Sequence, residues 1–229
     1  MNYQRQFGEI KRQTTADEVY QQLQSDIISF RLAPGTKLSE VEVAKLYDVS
    51  RQPVREAFVR LGDQSLLQIR PQKATLVRKI SVSELNNTRF IRASVEVEVV
   101  RRACEKATEE NLDLIDFNLM QQEKAVKAGD SNLLHNLDYE FHRLICLTGD
   151  CLAAFKTIAE NKTHTDRVCT LELAHACGMS EVLDGHHNIV NAIKSKDEET
   201  AVKMTRIHLS HLDDTLKEAR EEYPDYFED

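Results

Sequence analysis

Apolar residues in the first third of the chain recur at helical spacing between short groups of turn-forming residues. One helical face carries the apolar positions Val19, Leu23, Ile27 and Ile28. The pattern Thr15-Ala-Asp-Glu18 resembles a capping box and predicts that a helix opens there. The proline and glycine of Leu32-Ala-Pro-Gly35 predict a turn that ends this helix.

Two further helices and a hairpin are predicted in the same third. Ser39-Glu-Val-Glu42 is a second capping-box pattern and predicts a short second helix. Ser50 is expected to cap a third helix that runs to about Gln64. Two strand-like runs follow, Leu66–Arg70 and Thr75–Lys79. Three helices and a small hairpin in this length are typical of a winged helix-turn-helix.

From Ser81 onward the apolar positions have helical periodicity only, with no strand signal. About six helices are predicted, over residues 82–106, 109–127, 131–147, 151–173, 180–195 and 197–222. Breaks are expected at Gly129, Gly149 and Gly178, among others, and the last nine residues read as a loose acidic tail. We therefore predict a mainly α protein, with a winged helix-turn-helix at residues 1–79 and an all-helical bundle at residues 80–229.

The distribution of charge along the chain indicates a class of function in addition to the fold. The chain has 229 residues and a net charge of −8. Residues 1–79 hold 13 basic and 9 acidic residues, whereas the rest holds 17 basic and 29 acidic residues. A basic first domain on an acidic remainder is expected to face a polyanion, although chance clustering of four charges would look the same.

Several classes of protein are disfavoured by composition. No apolar run approaches the ~20 residues that cross a bilayer, so we expect no membrane partner. The N-terminal residues are polar and lack a signal-peptide core, which favours a cytoplasmic location. The five cysteines have no Cys-x-x-Cys spacing, so they fit reduced thiols better than disulfides or a thiolate zinc site. Cys104 and Cys146 are expected to pack as small apolar residues.

The candidate DNA-contacting residues cluster at the start of the third helix. Arg51 and Arg55 lie one turn apart, where guanidinium groups reach guanine edges or clamp phosphates. The other candidates are Ser50 and Gln52 at the same end, Pro53 in the first turn, and Lys73 at the hairpin tip. The alternative is an ordinary solvated basic face.

The stretch from Ile28 to Val77 resembles the winged helix of the GntR family of bacterial transcription regulators. The resemblance rests chiefly on Ser50-Arg51-Gln-Pro53-Val-Arg55-Glu-Ala57, and also on Leu32-Ala-Pro-Gly35 and Arg70-Pro-Gln-Lys-Ala-Thr-Leu-Val77. It implies that Ser50, Arg51 and Arg55 contact a double-stranded DNA operator. One departure is Ala74, where the family usually has a glycine at the wing tip.

The stretch Asp138-Tyr-Glu-Phe-His142 poses a question of its own. The carboxylate and the imidazole are four residues apart, so they share a helix face with apolar neighbours. Either they are half of a metal site or they are a buried, mutually satisfied polar pair. His186 and His208 are also flanked by apolar residues at helical spacing.

The helical two-thirds resembles the effector-binding (FCD) domain of FadR-type GntR regulators. The motifs are Arg92-x-x-Val-Glu96, Asp138-x-x-Phe-His142, His186-x-x-Ile189 and His208-Leu209. The resemblance implies that Asp138, His142, His186 and His208 bind a divalent cation. Three imidazoles and one carboxylate suit zinc first, then nickel or manganese, rather than Mg²⁺ or Ca²⁺. His135, His187 and His211 are interpreted as surface or supporting groups.

Such an ion keeps coordination positions open, which a small carboxylic acid could fill. Arg92 is the main candidate to bind a second carboxylate, and Arg167 is a weaker one. The alternative for Arg92 is a surface ion pair with Glu96.

The leading hypothesis is therefore a homodimeric, non-enzymatic regulator that represses transcription until its acid effector binds. The alternatives are a metal-dependent enzyme, for which no His-Glu-x-x-His motif is found, and a pure metal sensor.

Overall fold

The structure is a computed structural model that describes residues 14–70, 73–172, 176–210 and 212–228. The chain divides into two compact units, and the boundary falls between Lys79 and Ile80. Each unit has its own hydrophobic core.

The first unit contains three helices around one core. They are α1 (Thr15–Ile28), α2 (Glu40–Leu46) and α3 (Arg51–Asp63). Their buried faces follow the apolar spacing of the sequence, because residues three and four apart share a helix side. The buried positions include Val19, Leu23, Ile27, Val54, Phe58 and Leu61.

A three-stranded antiparallel sheet completes the first unit. Its strands are β1 (Lys37–Leu38), β2 (Leu67–Gln68) and β3 (Thr75–Val77), in the order β1-β3-β2. The register pairs Leu38 with Thr75 and Gln68 with Leu76. The predicted hairpin is present, whereas β1 was not predicted because two residues carry too short a pattern to recognise. Three helices with this sheet form the expected winged helix-turn-helix.

Two of the predicted helix caps are wrong in detail. The N-cap of α1 is Thr14, whose hydroxyl accepts from the Asp17 amide while Asp17 accepts from the Thr14 amide. The capping box therefore begins one residue earlier than predicted. Ser39 precedes α2 without any side-chain cap bond, so the second predicted capping box does not form.

The second unit is helical over most of its length. Its described helices are α4 (Val82–Lys106), α5 (Glu109–Ala128), α6 (Ser131–Thr148), α7 (Ala154–Glu172), α8 (Ala176–Lys194), α9 (Glu198–Ser210) and α10 (Leu212–Glu222). Gly178 lies inside α8, so the predicted break there is wrong. The predicted helix over 197–222 corresponds to α9 and α10, which lie on either side of residue 211.

The last residues are ordered against the start of the second unit rather than loose. Pro224–Tyr226 form a 3-10 helix, and β5 (Phe227–Glu228) pairs in parallel with β4 (Ile80–Ser81). The side chain of Phe227 is buried. The predicted acidic tail is therefore wrong, because one apolar side chain and a short ladder hold this segment.

The two glycines predicted at helix ends have different physical reasons. Gly129 ends α5 with a φ of 67°, in the left-handed region that favours glycine. Gly149 ends α6 with a φ of −78°, which any residue can adopt. A Cβ on Gly149 would lie 3.0 Å from the Val99 carbonyl oxygen, so close packing on α4 favours glycine there.

Two sequence expectations on chemistry can be compared with the described residues. Cys104 and Cys146 are buried free thiols, as expected. Among the described residues, no helix has the length and apolar character needed to span a membrane.

Candidate functional site

Two arginines stand side by side on the exposed face of α3. The Arg51 Nη2 atom lies 3.1 Å from Glu40 Oε2, and Arg55 donates to both oxygens of the same carboxylate at 3.2 and 3.1 Å. The hydrogen bonds from Arg55, more than those from Arg51, lower the pKa of Glu40. One carboxylate on α2 thus orients both guanidinium groups at the start of α3.

The other DNA-binding candidates lie at the same end or on the wing. Ser50 is the exposed N-cap residue of α3 and makes no side-chain cap bond, so its position but not its capping bond matches the prediction. Gln52 donates to Glu56 at 2.9 Å, and Pro53 lies in the first turn of α3. Lys73 is exposed, next to the undescribed residues 71 and 72.

In the second unit, three helices bring the four predicted metal ligands together. Asp138 and His142 lie on α6, His186 on α8 and His208 on α9. Each offers one ligand atom, and these atoms all lie within 4.8 Å of one another. His186 and His142 are almost fully buried, with exposed fractions of 0% and 3%. Residues up to 70 positions apart in the sequence thus converge on one buried point.

Hydrogen bonds on the outer ring nitrogens orient two of the imidazoles. His142 Nδ1 lies 2.7 Å from Glu96 Oε2, and His186 Nδ1 lies 2.8 Å from Gln122 Oε1. Gln122 is itself fixed, because its amide donates to Asn118 at 2.7 Å. A ligating histidine typically donates its other N–H to a carboxylate or carbonyl oxygen in this way. Both Nε2 atoms lie on the side of the centre, where that of His142 also lies 2.9 Å from Arg92 Nη2.

The centre contains a buried nitrogen that lacks a proper partner. His186 Nε2 lies 3.2 Å from Asp138 Oδ1, but the geometry does not make a hydrogen bond and the atom has no other partner. A buried unsatisfied polar atom is costly and calls for an explanation. Three imidazoles and one carboxylate suit a first-row divalent metal, so these residues fit the expected ion.

The electrostatics of the histidines also suit a ligand role. Burial lowers the pKa of His186, and burial together with the neighbouring His186 and His142 lowers that of His208 well below its usual range. For His142, burial lowers the pKa, but the charges of Glu96 and Asp138 outweigh it and raise the pKa. Two of the three imidazoles are therefore held neutral, the form that binds metals.

Lys162 on α7 binds the carboxylate oxygen of Asp138 that points away from the centre. Its Nζ atom lies 2.8 Å from Asp138 Oδ2 and also donates to Asp166. Asp166 in turn accepts from the Tyr139 hydroxyl at 2.7 Å. Burial would raise the pKa of Asp138, but the charges of Lys162 and His142 bring it well below its usual range. Asp138 is thus an ionised carboxylate with Oδ1 toward the centre.

Arg92 is buried beside the cluster rather than paired at the surface. Its Nε donates to Glu96 at 2.5 Å, and the side chains are only 10% and 7% exposed. The ion pair between Arg92 and Glu96 therefore exists, but it is buried, so the predicted alternative of a surface pair is wrong on its location. Arg167 lies on α7 and is also buried, with 2% exposure.

Among the described residues, no further histidine joins the four ligand candidates. His135 Nε2 lies 3.9 Å from Asp166 and its ring contacts Tyr139, so it borders the supporting network. His187 is partly exposed, 3.4 Å from Glu123. His211 and His175 fall outside the described residues.

Sequence reasoning missed four residues that shape the centre: Gln122, Lys162, Asp166 and Gly185. The i,i+4 pairs Asn118/Gln122 and Lys162/Asp166 were visible as polar residues within otherwise helical patterns. Gly185 immediately precedes His186, and a Cβ there would lie 2.7 Å from His208 Nδ1. A glycine beside a candidate ligand was the available signal for this close approach.

Comparisons with known proteins agree with this architecture. Residues 15–77 match the model of bacterial regulatory proteins of the gntR family, and residues 88–211 match that of the FCD domain. The HTH-type transcriptional repressor RspR of Escherichia coli (strain K12) is 36% identical over 215 residues, covering 94% of both chains. The regulator McbR of the same organism is 24% identical over 84% of this chain and 88% of its own.

Solved structures share the fold. The structure of E. coli McbR/YncC superposes with a TM-score of 0.76 at 21% identity, covering 92% of this chain and 99% of that one. A GntR regulator from Rhodococcus sp. RHA1 superposes with a TM-score of 0.69 at 21% identity, covering 88% and 96%. With a winged helix at one end and an FCD domain at the other, the chain belongs to the GntR family of bacterial transcription regulators.

Proposed function

We propose that the protein is a homodimeric repressor whose second unit binds a divalent metal and a small carboxylic acid. The observation that carries the proposal is the convergence of Asp138, His142, His186 and His208 within 4.8 Å. Zinc is the favoured ion, with nickel and manganese as the next candidates, because the donor set is rich in nitrogen. A bound ion would attract the carboxylate of an acid.

The first unit supplies the DNA contacts in this proposal. Arg51 and Arg55 project from the start of α3 and bind guanine edges or phosphates of the operator. Ser50, Gln52 and Pro53 lie at the same helix end, and Lys73 on the wing reaches the adjacent backbone. In a homodimer, two such helices match the two halves of a palindromic operator.

The acid effector acts through the second unit. Arg92 and Arg167 are the candidate guanidinium groups for its carboxylates, since a guanidinium binds a carboxylate in two-point fashion. The acid changes DNA binding only if it binds the DNA-competent and DNA-incompetent states with different free energies. A relative of 36% identity is named a repressor, which supports release of the operator as the sign of the response.

Two variants, one in each unit, test this function. Arg51→Ala should weaken operator binding by about 1–3 kcal/mol and leave the metal content unchanged. His186→Ala should abolish stoichiometric metal binding and leave the folded winged helix intact. Fluorescence anisotropy on operator DNA and elemental analysis by mass spectrometry measure the two properties.

Arg60→Ala is the matched control on the same helix. Arg60 is 44% exposed and pairs with Asp17 at 2.8 Å, away from the helix start, so its loss should change operator affinity little. If Arg51→Ala and His186→Ala altered both DNA affinity and metal content alike, the division of labour between the units would be wrong.

A pure metal sensor is the second candidate, and one observation favours it. Arg92, the main candidate to bind an acid, is already engaged by Glu96 and His142, whereas the four ligand candidates need only an ion. Removal of metal in the absence of any acid would change operator affinity in a metal sensor and leave it unchanged in the acid-responsive repressor.

A further inference from the structure

A closed ring of three buried side chains stands at the edge of the metal-binding cluster. Arg92 Nε donates to Glu96 Oε1 at 2.5 Å, and Arg92 Nη2 lies 2.9 Å from His142 Nε2. Glu96 Oε2 contacts the opposite ring nitrogen of His142, Nδ1, at 2.7 Å. Each member therefore contacts both of the others.

The chemistry of these groups fixes the proton positions. A guanidinium has only donors, so His142 Nε2 must accept from Arg92 with its lone pair. Despite its burial, Glu96 and Asp138 raise the pKa of His142, but a protonated ring would set an N–H against the Arg92 donor at 2.9 Å. The ring in this contact is therefore neutral, and its proton lies on Nδ1, where Glu96 accepts it. Arg92 thereby holds His142 in the tautomer that a metal requires, but it uses the same lone pair that a metal would take. One lone pair cannot serve both.

We propose that Arg92 is a positioning residue that competes with the metal for His142 Nε2. This inference rests on the proposed function, because it concerns the same metal site. His142 can ligate an ion only after Arg92 has left its lone pair. The apparent metal affinity of the wild type is then the intrinsic affinity multiplied by the fraction of molecules in which Arg92 has released His142.

The competition also connects the metal to the acid. Once His142 gives its lone pair to an ion, the Nη2 donors of Arg92 lose their acceptor while Glu96 still holds Nε. The remaining contact of the guanidinium within the described residues is a long one, 3.5 Å from Nη1 to Thr165. A carboxylate can take the released donors, so each ligand strengthens the binding of the other by the same factor.

The test measures zinc affinity by competition with a chromophoric chelator at one fixed pH. Arg92→Gln should bind zinc about tenfold to a hundredfold more tightly than the wild type, because a charge-assisted hydrogen bond no longer has to be broken. Arg101→Gln is the matched control on α4, since Arg101 is 44% exposed and pairs with Glu198. The control should keep the wild-type affinity.

A second comparison covers the case in which Arg92→Gln leaves Glu96 without its cation and fails to fold. The double variant Arg92→Gln/Glu96→Gln should then bind zinc more tightly than Glu96→Gln alone, by a similar factor. In ¹⁵N NMR spectra of the metal-free protein, His142 Nε2 should have the shift of a hydrogen-bonded acceptor in the wild type and that of a free lone pair in Arg92→Gln, a difference that a purely structural role for Arg92 would not produce.

The outcomes separate the two proposals. If the wild type binds zinc and loss of Arg92 leaves the affinity unchanged or weaker, the competition is overturned while the metal site stands. If neither the wild type nor any variant binds zinc, the metal site and the competition both fall.

Discussion

Lys162 and Asp138 show how the centre tolerates buried charge at the scale of single residues. Lys162 is 6% exposed and Asp138 is 8% exposed, yet Nζ and Oδ2 are only 2.8 Å apart. The charges of Asp138 and Asp166 raise the pKa of Lys162 despite its burial, so it stays protonated. Since Lys162 occupies one oxygen, Asp138 presents a single oxygen to the centre.

Lys162→Met should destabilise the metal-free protein by about 3–5 kcal/mol, because it leaves the carboxylates of Asp138 and Asp166 buried without their cation. Saturating zinc should recover more stability in this variant than in the wild type, since an ion bound at Asp138 replaces the lost positive charge. Urea unfolding followed by circular dichroism, with and without zinc, measures both effects.

Lys156→Met is the control on the same helix, where Lys156 is 83% exposed and 3.8 Å from Glu160. Surface pairs of this kind contribute about 0–1 kcal/mol, so the control should unfold almost as the wild type does. An equal loss of stability in both lysine variants would show that burial of Lys162 does not matter.

At the scale of elements, the approach of α8 and α9 depends on one missing side chain. A Cβ on Gly185 would lie 2.7 Å from His208 Nδ1 and 3.4 Å from His208 Cγ. Real Cβ atoms do not come this close, so the imidazole would have to move. The glycine thus allows His208 to lie directly against the backbone of α8, next to His186.

Gly185→Ala should lower zinc affinity by about tenfold or more, because overpacking of this kind costs about 1–3 kcal/mol when a side chain is displaced. The metal-free protein should lose less stability, since alanine favours the helix by about 1 kcal/mol over glycine. Chelator competition and thermal unfolding measure the two quantities. Asn188→Ala, at an exposed position of α8, is the control and should leave zinc affinity unchanged.

Elements with a long apolar pattern were predictable from the sequence, whereas elements with a short pattern were not. The spacing of Val19, Leu23 and Ile27 predicts the buried face of α1, because one face repeats over four turns. Strands β1, β4 and β5 have two residues each, so the partner strand rather than the local sequence makes them. Gly178 breaks no helix, since propensity for a single residue yields to its context.

For the whole molecule, the family-like motifs predicted which four side chains could converge, and the fold brings them together. The residues that hold the ligand candidates in place were harder to predict from the sequence. Glu96 and Gln122 touch His142 and His186 across sequence separations of 46 and 64 residues. Such contacts depend on how α4, α5, α6 and α8 pack, which no local pattern encodes. The contact of Arg92 with His142 likewise depends on how α4 packs against α6.

Metal binding by the homodimer is tested best by a native mass spectrum of untagged protein purified without chelator. We expect a wild-type dimer that carries one divalent metal per chain, and a His186→Ala dimer that carries none. A small additional mass on the wild-type dimer would identify the acid. A metal-free wild-type dimer that still binds operator DNA would show that the second unit holds no resident metal, and would leave Asp138 and His142 as a buried polar pair.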